Sequence, residues 1–392
     1  MLKQGGNKMV HIFKSAYKIM TGVGAISHLG SEIARLKMNH PLVVTDKMIK
    51  KAGLLEEVTV ALAGRSYGIF LEVEPEPAFS VVEACKQTFV AGGHDGVIAI
   101  GGGSALDTAK ATAAYVRYNG ALADLIGTDL VPTKGVPLIA IPTTAGTGSE
   151  VTNIAILSDN DAKLKKGMVS DHLLPDVAIV SPELSRTTPP AVTAASGIDA
   201  LVHGIEAYLS VNASPLTDAF ALQAIEKIAR NLPEAYAKPT TLAAREEMAV
   251  ASLMAGMAFG NAGVGAVHAL AYPLGGRFNM AHGVSNAVLL PYVMRENKVA
   301  CVDRLAVIAE VLGVKEIGMG SSEGADQAIS AMERLCDQVH IPSNLREFGI
   351  RRADLTAMAE DASKIDRLLK NNPRPLERDT ILSIYERAWA GR

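Results

Sequence analysis

Five short, almost wholly apolar runs in the first half of the chain restrict its fold more than any other feature. Each run is three or four residues long and bounded by turn residues. Strands of a parallel sheet that is covered on both faces have this pattern. The segment 78–91, between two of the runs, has apolar residues at helical spacing. Alternating strands and helices predict a doubly wound α/β fold. The runs are 42–44, 69–71, 97–100, 138–141 and 177–180.

The second half of the chain has a different pattern. No convincing strand follows the Pro189-Pro190 pair, and a residue before proline is biased away from helix. Long Ala-, Leu- and Met-rich segments such as 216–231 and 242–259 predict helices instead. We therefore expect an α/β domain over residues 1–187, with a loose N-terminus at 1–9, and an all-helical domain over residues 188–392.

The composition argues against several classes of protein. With 392 residues, 48% of them hydrophobic and 20% charged, the chain is typical of a globular protein with more than one core. A net charge of −3 without a basic run argues against nucleic acid as a partner. No apolar run has the length of a signal peptide or a membrane span, so we expect no membrane contact. The cysteines are too far apart for a disulfide framework or a thiolate zinc site, which favours a reducing cytoplasm; they are Cys85, Cys301 and Cys336.

A glycine cluster follows the predicted strand 97–100 and precedes a predicted helix. Glycines let the backbone approach a diphosphate, and the free N–H groups of a helix start point toward it. We expect Ser104 to cap this helix. Asp107 and Lys110, three residues apart, share a helix face. The cluster therefore predicts a phosphate-binding loop, and the alternative is a tight turn with a surface ion pair. It comprises Gly101, Gly102, Gly103 and Ser104.

Two further features of the sequence indicate that the phosphate belongs to a nucleotide. The loop 142–150, which follows another predicted strand, is rich in glycine and hydroxyl side chains that are suited to the same groove. Asp46 ends the strand 42–44. An acidic residue at the end of an early strand commonly accepts hydrogen bonds from ribose hydroxyls and repels a 2′-phosphate. The alternative for Asp46 is a simple helix cap.

One carboxylate and three histidines indicate a metal site in the second half. Asp199 and His203 are four residues apart, so on a helix they lie on one face. His268 and His282 follow, and all four residues are surrounded by Ala, Gly and Val. An unpaired charge is costly in such surroundings, and a bound metal would satisfy all four groups together. Fe(II), Zn(II) and similar divalent ions suit this ligand set.

Taken together, these motifs resemble the iron-containing (group III) alcohol dehydrogenases. The specific elements are the Asp-Ala-Leu-x-His segment at 199–203, the thirteen-residue gap between the last two histidines, and the His-Gly-x-x-Asn segment at 282–286. The resemblance implies a Rossmann-like domain followed by a helical domain, with the active site between them. It also implies that Asp199, His203, His268 and His282 hold Fe(II), with Zn(II) possible by chemistry.

The same resemblance implies how the nucleotide is held. The diphosphate loop corresponds to residues 101–104, with Asp107 nearby. An acid at Asp46 is typical of members that use NAD, which makes NADP less suited. Lys165 corresponds to a lysine near the nicotinamide. Many members have a second histidine, part of a proton path, where this chain has Tyr272, so Tyr272 either relays protons or only shapes the pocket. Nucleotide and nicotinamide contacts correspond to Thr143, Thr144, Thr147 and Ser149.

The implied activity is NAD-linked oxidation of small alcohols and reduction of the matching aldehydes. Hydride passes between substrate and nicotinamide, with the metal as a Lewis acid on the substrate oxygen. We also expect a homo-oligomer such as a homodimer. Alternatives within the superfamily are a polyol dehydrogenase for glycerol-like substrates and a hydroxyacid–oxoacid transhydrogenase. Alternatives from other classes are a lyase of the dehydroquinate synthase kind and a non-catalytic paralogue.

Overall fold

The first half of the chain forms a six-stranded parallel sheet with a small second sheet beside it. The computed structural model describes residues 10–160 and 164–391, so the N-terminus expected at 1–9 lies outside the described residues. The strands are β1 (Lys18–Thr21), β2 (Leu42–Val44), β3 (Gly68–Phe70), β4 (Val97–Gly101), β5 (Gly127–Thr128), β6 (Leu138–Pro142), β7 (Ile154–Asp159), β8 (Leu164–Val169) and β9 (Val177–Val180).

The main sheet confirms the predicted α/β fold. Its order is β1-β9-β6-β4-β2-β3, and every neighbouring pair is parallel. β4 and β6 lie in the middle and are buried along their whole length. All five predicted apolar runs form strands of this sheet. Because parallel strands end on the same edge, the loops after β4 and β6 are adjacent at the carboxyl edge of the sheet.

Four strands were not expected from the sequence. β1 is an edge strand that is only partly buried, so it lacks a continuous apolar run. β7 and β8 form an antiparallel hairpin, and β8 also pairs with β5. Buried and half-exposed residues alternate along β7, which is the pattern of a strand with one covered face. Strands of this kind escape a search for wholly apolar runs.

The described part of the chain after residue 188 contains helices and no strand, which confirms an all-helical second half. The last strand ends at Val180 and α6 begins at Pro190. A domain boundary between residues 187 and 188 stays a prediction. The helices are α1 (Leu29–Arg35), α2 (Lys47–Lys51), α3 (Leu54–Ala61), α4 (Phe79–Gly92), α5 (Gly103–Tyr115), α6 (Pro190–Leu209), α7 (Pro215–Ala237), α8 (Leu242–Ala262), α9 (Ala266–Phe278), α10 (His282–Val311), α11 (Ser321–Gln338), α12 (Leu355–Ala362), α13 (Asp366–Leu369) and α14 (Arg378–Ala390).

The helical half contacts the sheet through the loop after β6. Gly148 in this loop has a left-handed backbone, with φ of +57°, and lies directly on Gly256 of α8. A Cβ atom on Gly148 would come within 2.4 Å of the Gly256 Cα atom. Since real side chains do not tolerate such a distance, two glycines are needed for this approach. The contact brings the carboxyl edge of the sheet against the helical half.

Within the described residues, no single helix is both long and apolar enough to cross a membrane. α8 and α9 pass that test only as a pair, by length and composition, and they are bent by 102° relative to each other. Most of their residues are buried, and many of these belong to the largest hydrophobic cluster of the described residues. The turn between the two helices directs α9, which carries His268, into the interior of the protein.

Candidate active site

Two adjoining cavities form a cleft between the sheet edge and the helical half. The larger cavity, about 590 Å³, is lined by Asp46, the start of α5 and Thr143 and Thr144 after β6. The smaller cavity, about 220 Å³, is lined by Thr147, Ser149 and residues of α6, α9 and α10. Gly103 and Ser104 belong to both walls. The cleft therefore leads from the end of an early strand, past the glycine loop, to the predicted metal ligands.

The glycine loop has the backbone that a diphosphate requires. Gly101 has a φ of +151°, and a Cβ atom there would lie 2.7 Å from the Ala105 Cβ atom. Gly103 opens α5, and a side chain on it would lie 2.7 Å from Thr147. The prediction that Ser104 caps the helix is wrong. Gly102 is the capping residue, and the Ser104 hydroxyl accepts a hydrogen bond from the Glu76 backbone N–H at 3.2 Å.

The pair of Asp107 and Lys110 is not a surface ion pair, because Lys110 is buried and Asp107 is mostly covered. The Lys110 ammonium lies 3.4 Å from Asp107 and donates to the Ser149 carbonyl at 3.0 Å. Asp107 accepts from the Ser149 hydroxyl at 2.6 Å and from the Ile156 N–H at 2.9 Å. Burial lowers the pKa of Lys110. Asp107 therefore fixes the loop and β7 against α5, and a direct contact between its carboxylate and the cofactor stays a prediction.

Asp46 caps a helix and also lines the larger cavity. Its Oδ1 atom accepts from the N–H groups of Met48 at 2.7 Å and Ile49 at 2.9 Å, so it is the N-cap of α2. Its Oδ2 atom lies 3.8 Å from the position that a Cβ atom on Gly101 would take. The two interpretations of Asp46 are thus compatible, because one oxygen caps the helix while the other lies near the glycine loop.

The predicted metal ligands come together at the end of the smaller cavity. Asp199 and His203 lie on one face of α6, His268 lies on α9 and His282 begins α10. One ligand atom from each of Asp199, His268 and His282 lies within 4.8 Å of the other two. The Nε2 atoms of His203 and His268 are 3.0 Å apart. The ligand atoms of Asp199, His268 and His282 are thus close enough to share one metal ion. His203 contacts this group through His268.

The protonation of two imidazoles indicates that this site suits a cation. The Nδ1 atom of His203 lies 3.2 Å from the carbonyl oxygen of Gly146, which only accepts, so Nδ1 carries the proton. The Nδ1 atom of His268 donates to Glu206 at 2.6 Å. In a neutral ring with its proton on Nδ1, the Nε2 atom keeps a lone pair that a metal can bind, and the two Nε2 atoms lie side by side here. Burial lowers the pKa of His203 to about 4, so it is neutral at pH 7 and ready to bind a metal.

Two residues that the metal prediction did not include, Glu206 and Asn286, also belong to this site. Glu206 accepts from His268 and from the Val267 N–H at 2.6 Å, and it is buried. The amide of Asn286 donates to Asp199 at 2.7 Å and lies 3.3 Å from the Nε2 atom of His282. Glu206 follows His203 by three residues, so helical spacing could have placed it on the same face of α6 as the ligands. Such partners orient metal ligands and fix their protonation.

Lys165 and Tyr272 line the smaller cavity near these ligands. The Lys165 ammonium, which is largely buried, forms a 2.6 Å ion pair with Glu76. The Tyr272 hydroxyl accepts from the Arg367 guanidinium at 3.2 Å. Tyr272 follows His268 by one turn of α9, as expected from the sequence. The structure thus brings the predicted site residues to the walls of one cleft, except Gly101, which is buried at the end of β4, and their individual roles remain predictions.

A doubly wound sheet with a glycine loop, joined to a buried aspartate–histidine cluster, defines a nucleotide-binding, metal-dependent enzyme. Comparisons with known proteins specify the family. The model of iron-containing alcohol dehydrogenase matches residues 16–182. The C-terminal model of the Fe-containing alcohol dehydrogenase family matches residues 193–389. The chain belongs to the iron-containing alcohol dehydrogenase family.

Individual relatives agree with this assignment. The chain is 46% identical over 375 residues to long-chain-alcohol dehydrogenase 1 of Geobacillus thermodenitrificans, and the match covers 94% of each chain. It is similar to a crystal structure of 1,3-propanediol oxidoreductase, with a TM-score of 0.95 and 40% identity over 97% of this chain and 100% of that one. A sulfoacetaldehyde reductase from Bifidobacterium kashiwanohense, solved with NAD⁺, has a TM-score of 0.88 and 30% identity over 96% of this chain and 98% of that one.

The family assignment confirms the predicted class of reaction. The chain is an oxidoreductase that acts on CH–OH groups and the corresponding aldehydes, in a family that uses NAD and iron. This outcome favours the dehydrogenase over the dehydroquinate-synthase-like lyase and over a non-catalytic paralogue.

Proposed function

We propose that this chain is an NAD(H)-linked alcohol dehydrogenase and aldehyde reductase for small, functionalised substrates. The observation that carries the proposal is the adjacency of the glycine loop and the Asp199–His268–His282 cluster in one cleft. A substrate held at the cluster would face a nicotinamide held over the loop. The volume of the smaller cavity, about 220 Å³, is below the range of drug-sized ligand pockets and favours short chains.

We infer that Asp199, His203, His268 and His282 hold one divalent metal, with iron favoured by family and zinc compatible with the donors. A bound metal supplies Lewis acidity at the substrate oxygen. The protein contributes orientation. Glu206 accepts from Nδ1 of His268, and the Gly146 carbonyl accepts from Nδ1 of His203, which directs the Nε2 atom of each ring toward the cluster. Phe259 stacks on His203 with ring centroids 4.2 Å apart and covers that side of the site.

The nucleotide-binding residues are proposed along the same cleft. The backbone at the start of α5 is suited to the diphosphate, and Thr143 and Thr144 line the same larger cavity. Thr147, Ser149 and Lys165 line the smaller cavity, where the nicotinamide would lie. Asp46 would accept hydrogen bonds from the ribose of NAD and repel the 2′-phosphate of NADP.

The experiment is an assay of the purified, iron-loaded protein with a series of short aldehydes and either NADH or NADPH. We expect NADH oxidation that depends on the aldehyde, and a clear preference for NADH. A preference for NADPH would refute the role of Asp46. Turnover without added nicotinamide, through hydride exchange between a hydroxyacid and an oxoacid, would instead favour the transhydrogenase alternative.

We also propose a homo-oligomer located in the cytoplasm. The segment before the edge strand β1 leaves Val10, Ile12 and Tyr17 mostly exposed, and apolar side chains beside an open sheet edge are suited to a second copy of the chain. The three cysteines are buried and free, in keeping with a reducing compartment. Light scattering of the purified protein would test the first part, and a monomeric mass would contradict it.

A further inference from the structure

Most charged side chains around the smaller cavity have a partner of opposite charge. Asp107 faces Lys110 at 3.4 Å, and Glu76 faces Lys165 at 2.6 Å. Asp199 belongs to the metal cluster. These groups therefore contribute little net charge to a ligand in the cavity once a metal is bound.

Arg367 differs from these groups. Its guanidinium lines the cavity, yet in the described part of the chain it has no carboxylate at salt-bridge distance. Its hydrogen-bonding partner is the neutral hydroxyl of Tyr272, at 3.2 Å. A half-buried guanidinium without a counter-ion is unfavourable, and its fork of N–H donors matches the oxygens of a carboxylate or another oxyacid.

The position of Arg367 is fixed relative to the metal ligands. Tyr272 follows His268 by one turn of α9, which corresponds to about 6 Å along a helix axis. On another side the guanidinium lies against β8, where a Cβ atom on Gly167 would be 3.5 Å from its Nη2 atom. The guanidinium thus lines the same cavity as His268 and is held by a residue one helical turn further along α9, so that one ligand in this cavity has access to both.

We propose that Arg367 binds an anionic group of the substrate. The preferred aldehydes are then short chains that carry a carboxylate or a sulfonate at the end remote from the carbonyl. This inference rests on the proposed function, since it assigns the substrate class of the same site. The carbonyl lies at the Asp199 and histidine cluster, and the acidic group lies at the guanidinium.

The test compares two aldehydes with the same number of carbon atoms, succinic semialdehyde and butanal, in the iron-loaded enzyme with NADH. The wild type has a higher kcat/KM for succinic semialdehyde. Arg367→Gln lowers the ratio of the two kcat/KM values by about 10- to 100-fold, the range expected for one charge-assisted hydrogen-bonded contact. Arg367→Lys retains most of the ratio. Sulfoacetaldehyde against propanal, as a second pair, distinguishes sulfonate from carboxylate recognition.

Arg351→Gln is the matched control, because it removes an exposed guanidinium that pairs with Asp354 and does not line the cavity. Its ratio stays close to that of the wild type. An unchanged ratio in Arg367→Gln would overturn the proposal, as would an equal fall in Arg351→Gln. A rise in the KM for NADH that is the same with both aldehydes would also overturn it, because Arg367 would then serve the cofactor.

Calorimetric titration with succinate, a carboxylate probe that is not reduced, separates this proposal from the proposed function. The iron-loaded protein without nicotinamide binds succinate, and Arg367→Gln weakens this binding by at least tenfold. If no aldehyde is reduced but this difference persists, the activity is wrong and the anion site stands. Equal binding of succinate by the wild type and Arg367→Gln would overturn the anion site.

Discussion

At the scale of single residues, the orientation of the His268 ring is set by Glu206. The carboxylate accepts from Nδ1 at 2.6 Å and is itself buried. The contact therefore directs Nε2 toward His203 and the rest of the cluster. Carboxylate partners of this kind orient the ring and make it a stronger ligand. Glu206 is thus expected to act through His268 and not through contact with the substrate.

Glu206→Gln is predicted to weaken metal binding by about 10- to 100-fold, because an amide neither carries the charge nor fixes the imidazole as firmly. Competition with a chelator of known affinity measures the effect. Glu32→Gln serves as the control, since Glu32 is another buried carboxylate, paired with Lys18 and Arg35 in the other half of the protein. Equal metal affinity in the wild type and Glu206→Gln would disprove the role of Glu206.

Residue types and spacing identified the side chains that come together at Asp199, His268 and His282, but not the partners of these side chains. Asp199 and His203 are a helical turn apart, which the sequence reveals directly. The contact between Glu206 and His268 joins residues 62 apart in the chain, so spacing alone does not predict it. Spacing also does not predict the hydrogen bond from the Lys110 ammonium to the Ser149 carbonyl, because the two residues are 39 positions apart. The burial of Lys110 depends on tertiary packing and was not predicted.

At the scale of elements, the approach of α8 to the loop after β6 determines how the cleft closes. Gly256 lies against Gly148, and a Cβ atom on Gly256 would be 2.7 Å from the Gly148 Cα atom and 2.8 Å from its carbonyl oxygen. Both are backbone atoms, which do not move aside as a flexible side chain does. The spacing between the two halves of the protein is therefore set by the absence of side chains at these two positions.

Gly256→Ala is predicted to reduce the free energy of unfolding by roughly 1–3 kcal/mol through overpacking, although alanine is the better helix former. It should also raise the KM for NADH, because the loop carries Thr147 and Ser149. The control is Gly260→Ala one turn later on α8, where the nearest atom, in the Thr152 side chain, is 3.3 Å away. Equal stability of the two variants in urea unfolding would contradict this account.

The same loop contains a buried acid with a shifted pKa. Burial raises the pKa of Glu150 from 4.5 to about 7, with Lys110 acting in the opposite direction. Between these two pH values the folded state therefore holds more protons than the unfolded state. The free energy of unfolding then falls as the pH rises through this window.

Because glutamine stays neutral, the Glu150→Gln variant is predicted not to show this fall in the free energy of unfolding. At pH 8 it should be more stable than the wild type by roughly 1–3 kcal/mol, and at pH 4.5 the difference should be small. Urea unfolding at both pH values measures it. Glu56→Gln, on the exposed side of α3, should give no such pH-dependent difference. A Glu150→Gln variant that is less stable than the wild type at pH 8 would contradict the assignment.

The elements themselves were predictable where burial is complete. The four inner strands β2, β4, β6 and β9 are buried throughout because both faces of the sheet are covered there. β3 lies at an edge and is buried only at Phe70, yet its short apolar run was still recognisable. The edge strand β1 and the hairpin of β7 and β8 are only partly covered, so their sequences resemble those of loops. The helical half was predictable as a class, since long Ala- and Leu-rich segments leave few alternatives.

At the scale of the whole molecule, the active site exists only where the two halves meet. The sheet contributes the glycine loop at its carboxyl edge, and the helices contribute the aspartate and histidines. A position between these units is where α/β enzymes commonly bind ligands. The sequence indicated both contributions separately, and the family resemblance joined them. The structure was needed for the placement of these two contributions and for the charge of the cavity, where Arg367 has no carboxylate at salt-bridge distance among the described residues.

The central claim is that one divalent metal, held by Asp199, His203, His268 and His282, is required for nicotinamide-linked turnover. The most direct test is to measure bound metal and aldehyde-dependent NADH oxidation on one preparation, before chelation, after chelation and after return of Fe(II). We predict about one metal ion per chain, loss of turnover in step with loss of metal, and recovery with Fe(II) that His268→Ala does not show. Full turnover in the metal-free protein would contradict the account.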